Sequence, residues 1–161
     1  MTVQERLVRL LAEKNMTIAA AESCTGGMIS QMITDVSGSS AVFELGVCSY
    51  SNRIKMSVLG VAPETIEKFT ELSLQTAEEM AKGVRAISGA DIAVSTTGVA
   101  GPTGGSADNP VGTVYIALAQ AGGIVSEKVN FNEDDINDRE LIRRRCAEYV
   151  LEKAAKLTEG C

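Results

Sequence analysis

The amino-acid sequence predicts an α/β protein: one three-layer α/β/α domain over residues 1–161, built on a mixed sheet of five strands. Three observations carry this. The chain has 161 residues, 45% hydrophobic and 22% charged, enough for one domain with its own core and too few for two. Residues 1–50 alternate helical and short apolar segments, and a strand–helix–strand crossover favours a parallel pair. Residues 111–131 hold two strand-like runs joined by "QAGG", a hairpin signal that makes that pair antiparallel.

Each element has a local reason. Thr2 and Glu5 form a capping box around apolar Val3, Leu7, Leu10 and Leu11, so residues 3–14 should be helical. "TIAAA" (17–21) is short and wholly apolar or small, like a strand covered on both faces. "TGG" (25–27) opens a second helix carrying Met28, Ile29, Met32 and Ile33, and "AVFELGVCSY" (41–50) reads as a second strand. Two short helical pieces follow. The first runs from Asn52 to Leu59 and ends at Gly60; the second starts at Pro63, a residue suited to a first helical turn. Ser73 caps a longer helix over 74–87, with Ala77, Met80, Ala81 and Val84 on one face, stopped by "SG" at 88–89. "DIAVSTTG" (91–98) is a third strand running into the glycine-rich loop "VAGPTGGSADNP". "VGTVYIALA" (111–119) and "IVSEKVNF" (124–131) complete the sheet. Asn137 and Glu140 box the start of a final helix bearing Leu141, Ile142, Tyr149, Val150 and Leu151.

Charge and cysteine usage exclude several classes. Net charge is −6 and the isoelectric point about 4.8, and the only basic run, "RRR" at 143–145, lies in a helical pattern beside Glu140 and Glu148. A nucleic-acid partner is not expected. Cys24, Cys48, Cys146 and Cys161 show no C-x-x-C spacing, and without histidine a structural zinc site would need all four thiolates. Cys24 in "ESCTGG" reads as a small buried filler rather than a nucleophile. The amphipathic, charged N-terminus is unlike a signal peptide, and no apolar run approaches the ~18 residues of a membrane span. The expectation is a cytoplasmic protein with reduced thiols, no metal and no cofactor.

Ligands of open α/β sheets sit outside the carboxyl ends of the strands. Three segments leave strand ends with small polar residues, namely "ESCTGG", "SYSNRIK" and "STTGVAGPTGGS", and adjacent strands would bring them together. In the first, glycines between strand and helix leave N–H groups that suit a phosphate or carboxylate, with Ser23, Thr25 and Gly26 as candidate contacts. The loop 98–110 holds Gly98, Gly101, Gly104 and Gly105, which allow close backbone approach to a ligand, beside the hydroxyls of Thr96, Thr97, Thr103 and Ser106.

A lysine just past a buried strand suggests the reaction. Hydrolysing an amide through a serine needs a base for the hydroxyl proton and an acid for the departing amine. With no histidine in the chain, Ser–Lys is the remaining form of that logic at neutral pH. Lys55 is the candidate base, provided that burial or a neighbouring cation such as Arg53 or Arg139 holds it uncharged. The candidate nucleophiles are Ser40, Ser23 and Ser51. Tyr50 is placed to pass a proton or to lie against a substrate ring.

"AESCTGG" (21–27), "GSSAVFELGVCSYSNRIKMSVLGV" (38–61) and "GADIAVSTTGVAGPTGGSADNPVGTVYIAL" (89–118) resemble the C-terminal domain of the competence/damage-inducible protein A (CinA) family over nearly the whole chain. The resemblance implies hydrolysis of nicotinamide mononucleotide to nicotinate mononucleotide and ammonia in pyridine-nucleotide salvage. It further implies an anticodon-binding-domain-like fold, commonly a homodimer, and no metal. By position it puts the nucleophile on Ser40, the second serine of "GSS", and the tyrosine and lysine of "YSN-x-x-K" on Tyr50 and Lys55. The arginine opening its last helix falls on Arg139, as phosphate partner or as the cation that depresses the lysine. Ser23, Thr25, Gly26, Thr97, Gly101 and Gly104 would then contact the substrate. Two stretches depart from the family pattern: "NEDDI" (132–136) looks like extra length, and "TELSLQ" (70–75) stands where "GAVSEE" is usual. The N-terminal domain of longer members is not in evidence, so no activity of that domain is expected. The alternative reading is a non-catalytic module that binds a phosphorylated nucleotide in the same pocket. An amidase for another small amide and a structural partner in DNA uptake are further options, the last disfavoured by the acidic charge.

Overall fold

The computed structural model describes residues 1–161. In chain order the elements are α1 (Val3–Lys14), β1 (Ile18–Glu22), α2 (Met28–Thr34), a 3-10 turn (Ser39–Ala41), β2 (Phe43–Cys48), α3 (Asn52–Leu59), α4 (Pro63–Phe69), α5 (Leu74–Ser88), β3 (Ile92–Gly98), β4 (Thr113–Gln120), β5 (Gly123–Asn130) and α6 (Arg139–Glu159). They form one sheet in the order β2-β1-β3-β4-β5. β1 pairs in parallel with β2 and with β3, while β3–β4 and β4–β5 are antiparallel, so the sheet is mixed as its sequence pattern predicts.

Side-chain alternation along the strands divides the core into two unlike halves. Ile18, Ala20, Ile92, Val94, Ile116 and Leu118 face α1, α2 and α6 in a cluster that includes Leu7, Ile29 and Val150. The opposite face is lined mainly by alanine: Ala19, Ala21 and Ala93 meet Met80 and Val84 of α5, and Ala117 and Ala119 meet Ala77 and Ala81. Small residues on both sides let α5 lie close to the sheet. The same economy appears at Gly83 of α5, where any Cβ would run into the Leu59 carbonyl of α3. Three layers result, with α1, α2 and α6 on one side and α3 and α5 on the other.

Local signals hold at most ends. Thr2 and Glu5 make the expected reciprocal capping box, and Ser51 and Ser73 cap α3 and α5. The start of α6 differs from expectation: Asp138, not Asn137, is the cap, accepting from the Leu141 N–H at 3.0 Å. Asn137 has a positive φ of 55° and instead donates its own N–H to Asn132, closing the 132–137 turn. β1 extends one residue further than "TIAAA", and that residue, Glu22, governs the site described next.

Candidate active site

β1 lies between β2 and β3; the chain runs from β1 to β2 through α2 and then passes back beyond β1 to β3 through α3, α4 and α5, and an open α/β sheet forms its ligand crevice at such a reversal. The cleft found there has a volume of about 460 Å³ and is lined from all three strand ends. Ser23 and Cys24 follow β1; Tyr50, Asn52 and Lys55 follow β2; Thr97 to Gly101, Thr103 and Gly104 continue from β3. Glu71 and Leu72 enter from the bend before α5, and Arg139 from the first turn of α6. The three polar segments singled out in the sequence therefore converge.

Lys55 is the centre of this arrangement. Near the start of α3 it is 2% exposed, among the largest fully buried side chains of the protein. Its Nζ lies 3.1 Å from Ser23 Oγ and 3.0 Å from the carbonyl oxygen of Ser49, to which it donates. Burial disfavours the ammonium and lowers its pKa from the ordinary lysine value; the negative charge of Glu71 acts in the opposite direction. Of the two expected means, burial and a neighbouring cation, burial is the one at work on this amine. In the uncharged amine the Ser23 contact can run the other way, with the hydroxyl donating to the nitrogen lone pair.

Ser40 is not part of this site. It is exposed in the 3-10 turn before β2, whereas Lys55 follows β2. The six residues of that strand separate them by roughly 17 Å, at about 3.3 Å per residue. Ser51, the third candidate, spends its side chain capping α3 through the Ile54 N–H. Ser23 is the hydroxyl that meets the lysine. The clue was its place directly after a buried strand, which the "GSS" match outweighed.

Two groups hold Ser23 in place. The fully buried Glu22 carboxylate accepts from the N–H groups of Gly27, Ile29 and Ser30 at 2.9–3.0 Å and from Ser30 Oγ at 2.7 Å. Arg143 of α6 donates to the carbonyls of Cys24 at 3.2 Å and Thr25 at 2.7 Å. The turn after β1 is thus tied on its N–H side by a carboxylate and on its carbonyl side by a guanidinium. This corrects the expected anion cradle at "TGG", because the chain's own carboxylate occupies those donors. Thr25 is fully buried, its hydroxyl 2.8 Å from that of Thr96, and neither Thr25 nor Gly26 lines the cleft. The N–H of Cys24, next to Ser23, makes no hydrogen bond to another residue of the protein.

The remaining expected residues fall at the rim. Arg139 donates to the Gly101 carbonyl at 2.7 Å and to the Tyr50 hydroxyl at 2.8 Å, bridging the glycine loop and the segment after β2. Tyr50 is 64% exposed and its hydroxyl makes no contact with Ser23 or Lys55, so its place suits a substrate ring rather than a proton relay. Thr97 lines the cleft but spends its hydroxyl on the Glu71 carbonyl at 2.8 Å. Gly101 has a φ of +70° and is pressed against Val111, which leaves no space for a side chain. Cys24 packs in the core with Cys146, whose thiol burial pushes well up, and all four cysteines are free.

Elsewhere the arginines of "RRR" are all engaged: Arg144 pairs with Glu140, Arg145 with Asp134, and Arg143 clamps the turn. A larger groove of about 950 Å³ between α2, β5 and α6 contains no lysine and no serine. No cluster of Cys, Asp and Glu could hold a metal ion. No helix is long and apolar enough to cross a membrane.

Comparison with known proteins identifies the family and the fold. Residues 1–158 match the family model described as the CinA C-terminal domain. A CinA-like protein from Shewanella pealeana is 46% identical over 142 residues, covering 88% of this chain and 33% of the relative. A CinA-like protein from Thermotoga maritima is 41% identical over 158 residues, covering 98% of this chain and 38% of the relative. The chain thus spans about a third of the length of the curated relatives that it matches. Among solved structures, a CinA superfamily protein from Klebsiella pneumoniae superposes with a TM-score of 0.92 at 28% identity, covering 99% of this chain and 97% of that one. A competence/damage inducible protein from Agrobacterium tumefaciens gives 0.88 at 38% identity, covering 98% and 96%.

Proposed function

The chain belongs to the CinA C-terminal domain family, and from that premise we propose that it hydrolyses the carboxamide of nicotinamide mononucleotide to nicotinate mononucleotide and ammonia. The observation that carries this reading is the 3.1 Å contact between Lys55 Nζ and Ser23 Oγ at a buried position in the cleft.

Ser23 Oγ attacks the carboxamide carbon while uncharged Lys55 takes the hydroxyl proton. In this reading the N–H of Cys24, the residue after the nucleophile, receives the developing oxyanion, a type of donor worth about 3 kcal/mol when well aimed. Lys55 returns the proton to the amide nitrogen, the C–N bond breaks and ammonia leaves an ester on Ser23. A water, deprotonated by the same lysine, cleaves that ester, frees the carboxylate and restores the hydroxyl. Arg139 is the cleft's cation for the phosphate, and Tyr50 covers the ring. The pyridinium draws electrons from its carboxamide and makes it easier to attack than a peptide bond. The homodimer implied by the resemblance remains part of this proposal, and sedimentation reads it.

The test is ammonia release from nicotinamide mononucleotide, with Ser23→Ala and Lys55→Met as controls. Turnover lost in both variants supports the reading. Tight nucleotide binding without ammonia would instead make this a binding module. Comparison with nicotinamide itself shows whether the remote phosphate raises turnover as well as affinity.

A further inference from the structure

We infer that Glu71 sets the specificity of this cleft: its carboxylate favours the carboxamide of a cationic pyridine nucleotide and disfavours the acid made from it. The inference rests on the amidohydrolase reading above and concerns how substrate and product are told apart.

Fifteen residues line the cleft, and Glu71 is the only acid among them, with Lys55 and Arg139 the only bases. Its position is built. The backbone carbonyl accepts from Thr97 Oγ1 at 2.8 Å, and Oε2 accepts from Asn52 Nδ2 at 3.3 Å. Arg139 is anchored separately, by Gly101 and Tyr50. With Lys55 uncharged, the cleft therefore offers one fixed cation and one fixed anion, each held by different partners. The anion lies at the reacting end: its partner Asn52 is three residues before Lys55 on α3, and the Lys55 amine touches Ser23.

A nucleotide with its phosphate at Arg139 brings two features toward Glu71. One is the positive pyridinium ring; the other is a carboxamide whose N–H₂ group donates and carries no charge. Both suit a carboxylate. Hydrolysis replaces the amide with a second carboxylate, and like charges in one cleft repel. Glu71 thus weakens the enzyme's hold on its product without a steric change.

The experiment compares wild type with Glu71→Gln, which keeps an oxygen to accept from Asn52, and with Glu71→Ala. The readout is the ratio of the inhibition constant for nicotinate mononucleotide to the KM for nicotinamide mononucleotide, which does not depend on the fraction of active protein. Removing one charge at close range should lower that ratio about tenfold in both variants. An unchanged ratio alongside normal ammonia release overturns the role of Glu71 and leaves the proposed reaction intact. If wild type releases no ammonia, the proposed reaction falls, and calorimetry of the two nucleotides still decides Glu71. A preference for the amide that disappears in both variants upholds the inference. A preference unaffected by them, or no binding of either nucleotide, overturns it.

Discussion

Replacing Ser23 or Ser40 by alanine separates the observed site from the one that sequence position suggests. Ser23 Oγ is the only side-chain hydroxyl within hydrogen-bonding distance of Lys55 Nζ, so Ser23→Ala removes the proposed nucleophile and leaves the proposed base. Losing one member of such a unit costs about 10⁴-fold in kcat/KM, or about 5 kcal/mol of transition-state stabilisation. The folding cost is far smaller. Lys55 keeps the Ser49 carbonyl, so one hydrogen bond worth about 1 kcal/mol is lost, and for a domain of this size Tm should fall by about 2–4 °C. Ser40→Ala changes an exposed side chain at the far end of β2 and should leave kcat/KM within about twofold of wild type. Ammonia release gives the rates, a thermal melt confirms folding, and mass spectrometry of enzyme quenched during turnover looks for the ester on Ser23. Ser23→Ala retaining more than about a tenth of wild-type kcat/KM would refute the assignment. Loss of activity in Ser40→Ala instead would place the chemistry outside this cleft.

Other outcomes follow from the same geometry. Because the base works uncharged, kcat/KM should rise with pH as Lys55 loses its proton and level off above its pKa, which burial has lowered. Glu71 favours the ammonium, so Glu71→Gln should move that acid limb to lower pH; a limb that stays put or moves up refutes the charge argument. Arg139→Ala should raise KM for the nucleotide about tenfold to a hundredfold, with little change for the riboside lacking phosphate. Equal losses for both substrates would show that Arg139 does not read the phosphate. Glu22→Gln puts an amide where a buried carboxylate accepts four hydrogen bonds, so about 2 kcal/mol of stability and about 4–8 °C of Tm should go, together with part of kcat. An unaltered Tm would show that the carboxylate does not organise the turn.

Much of this was legible from residue order. Strand ends show in a sequence because apolar runs stop abruptly, and the hydroxyls, glycines and lysine that follow them do meet in space. The Thr2–Glu5 capping box, Ser73 and Pro63 located helix ends because those signals act within four residues. What escaped the sequence involves partners far apart along the chain. Arg143 looked like one member of a basic run, yet it reaches the carbonyls of residues 24 and 25 across the domain. Glu22 carries no local signal in the sequence, and its burial shows only when α2 is laid over it. Ser40 has a different history. The "GSS" resemblance put it forward, whereas a residue before β2 and a lysine after it lie at opposite ends of that strand and cannot share a proton.

The proposed reaction gives Lys55, in a chain without histidine, a part that suits a group titrating near neutral pH, and burial lowers its pKa in that direction. An imidazole titrates there by its own nature, whereas an amine must be brought there by its surroundings. The protein surrounds Lys55 with the strand ends and leaves it two oxygen partners, neither of which carries a charge. A carboxylate in direct contact would hold the amine as an ammonium and end its use as a base. Glu71 answers to both demands. It sits close enough for its charge to be felt by Lys55 and by a product carboxylate, but its own hydrogen bonds run to Asn52 and Thr97 rather than to the amine. Moving it inward would strengthen discrimination against product and protonate the base, while moving it outward would free the base and let product linger. The residues that anchor Glu71 therefore set a compromise between turnover and product release, although none of them need touch the atoms that react.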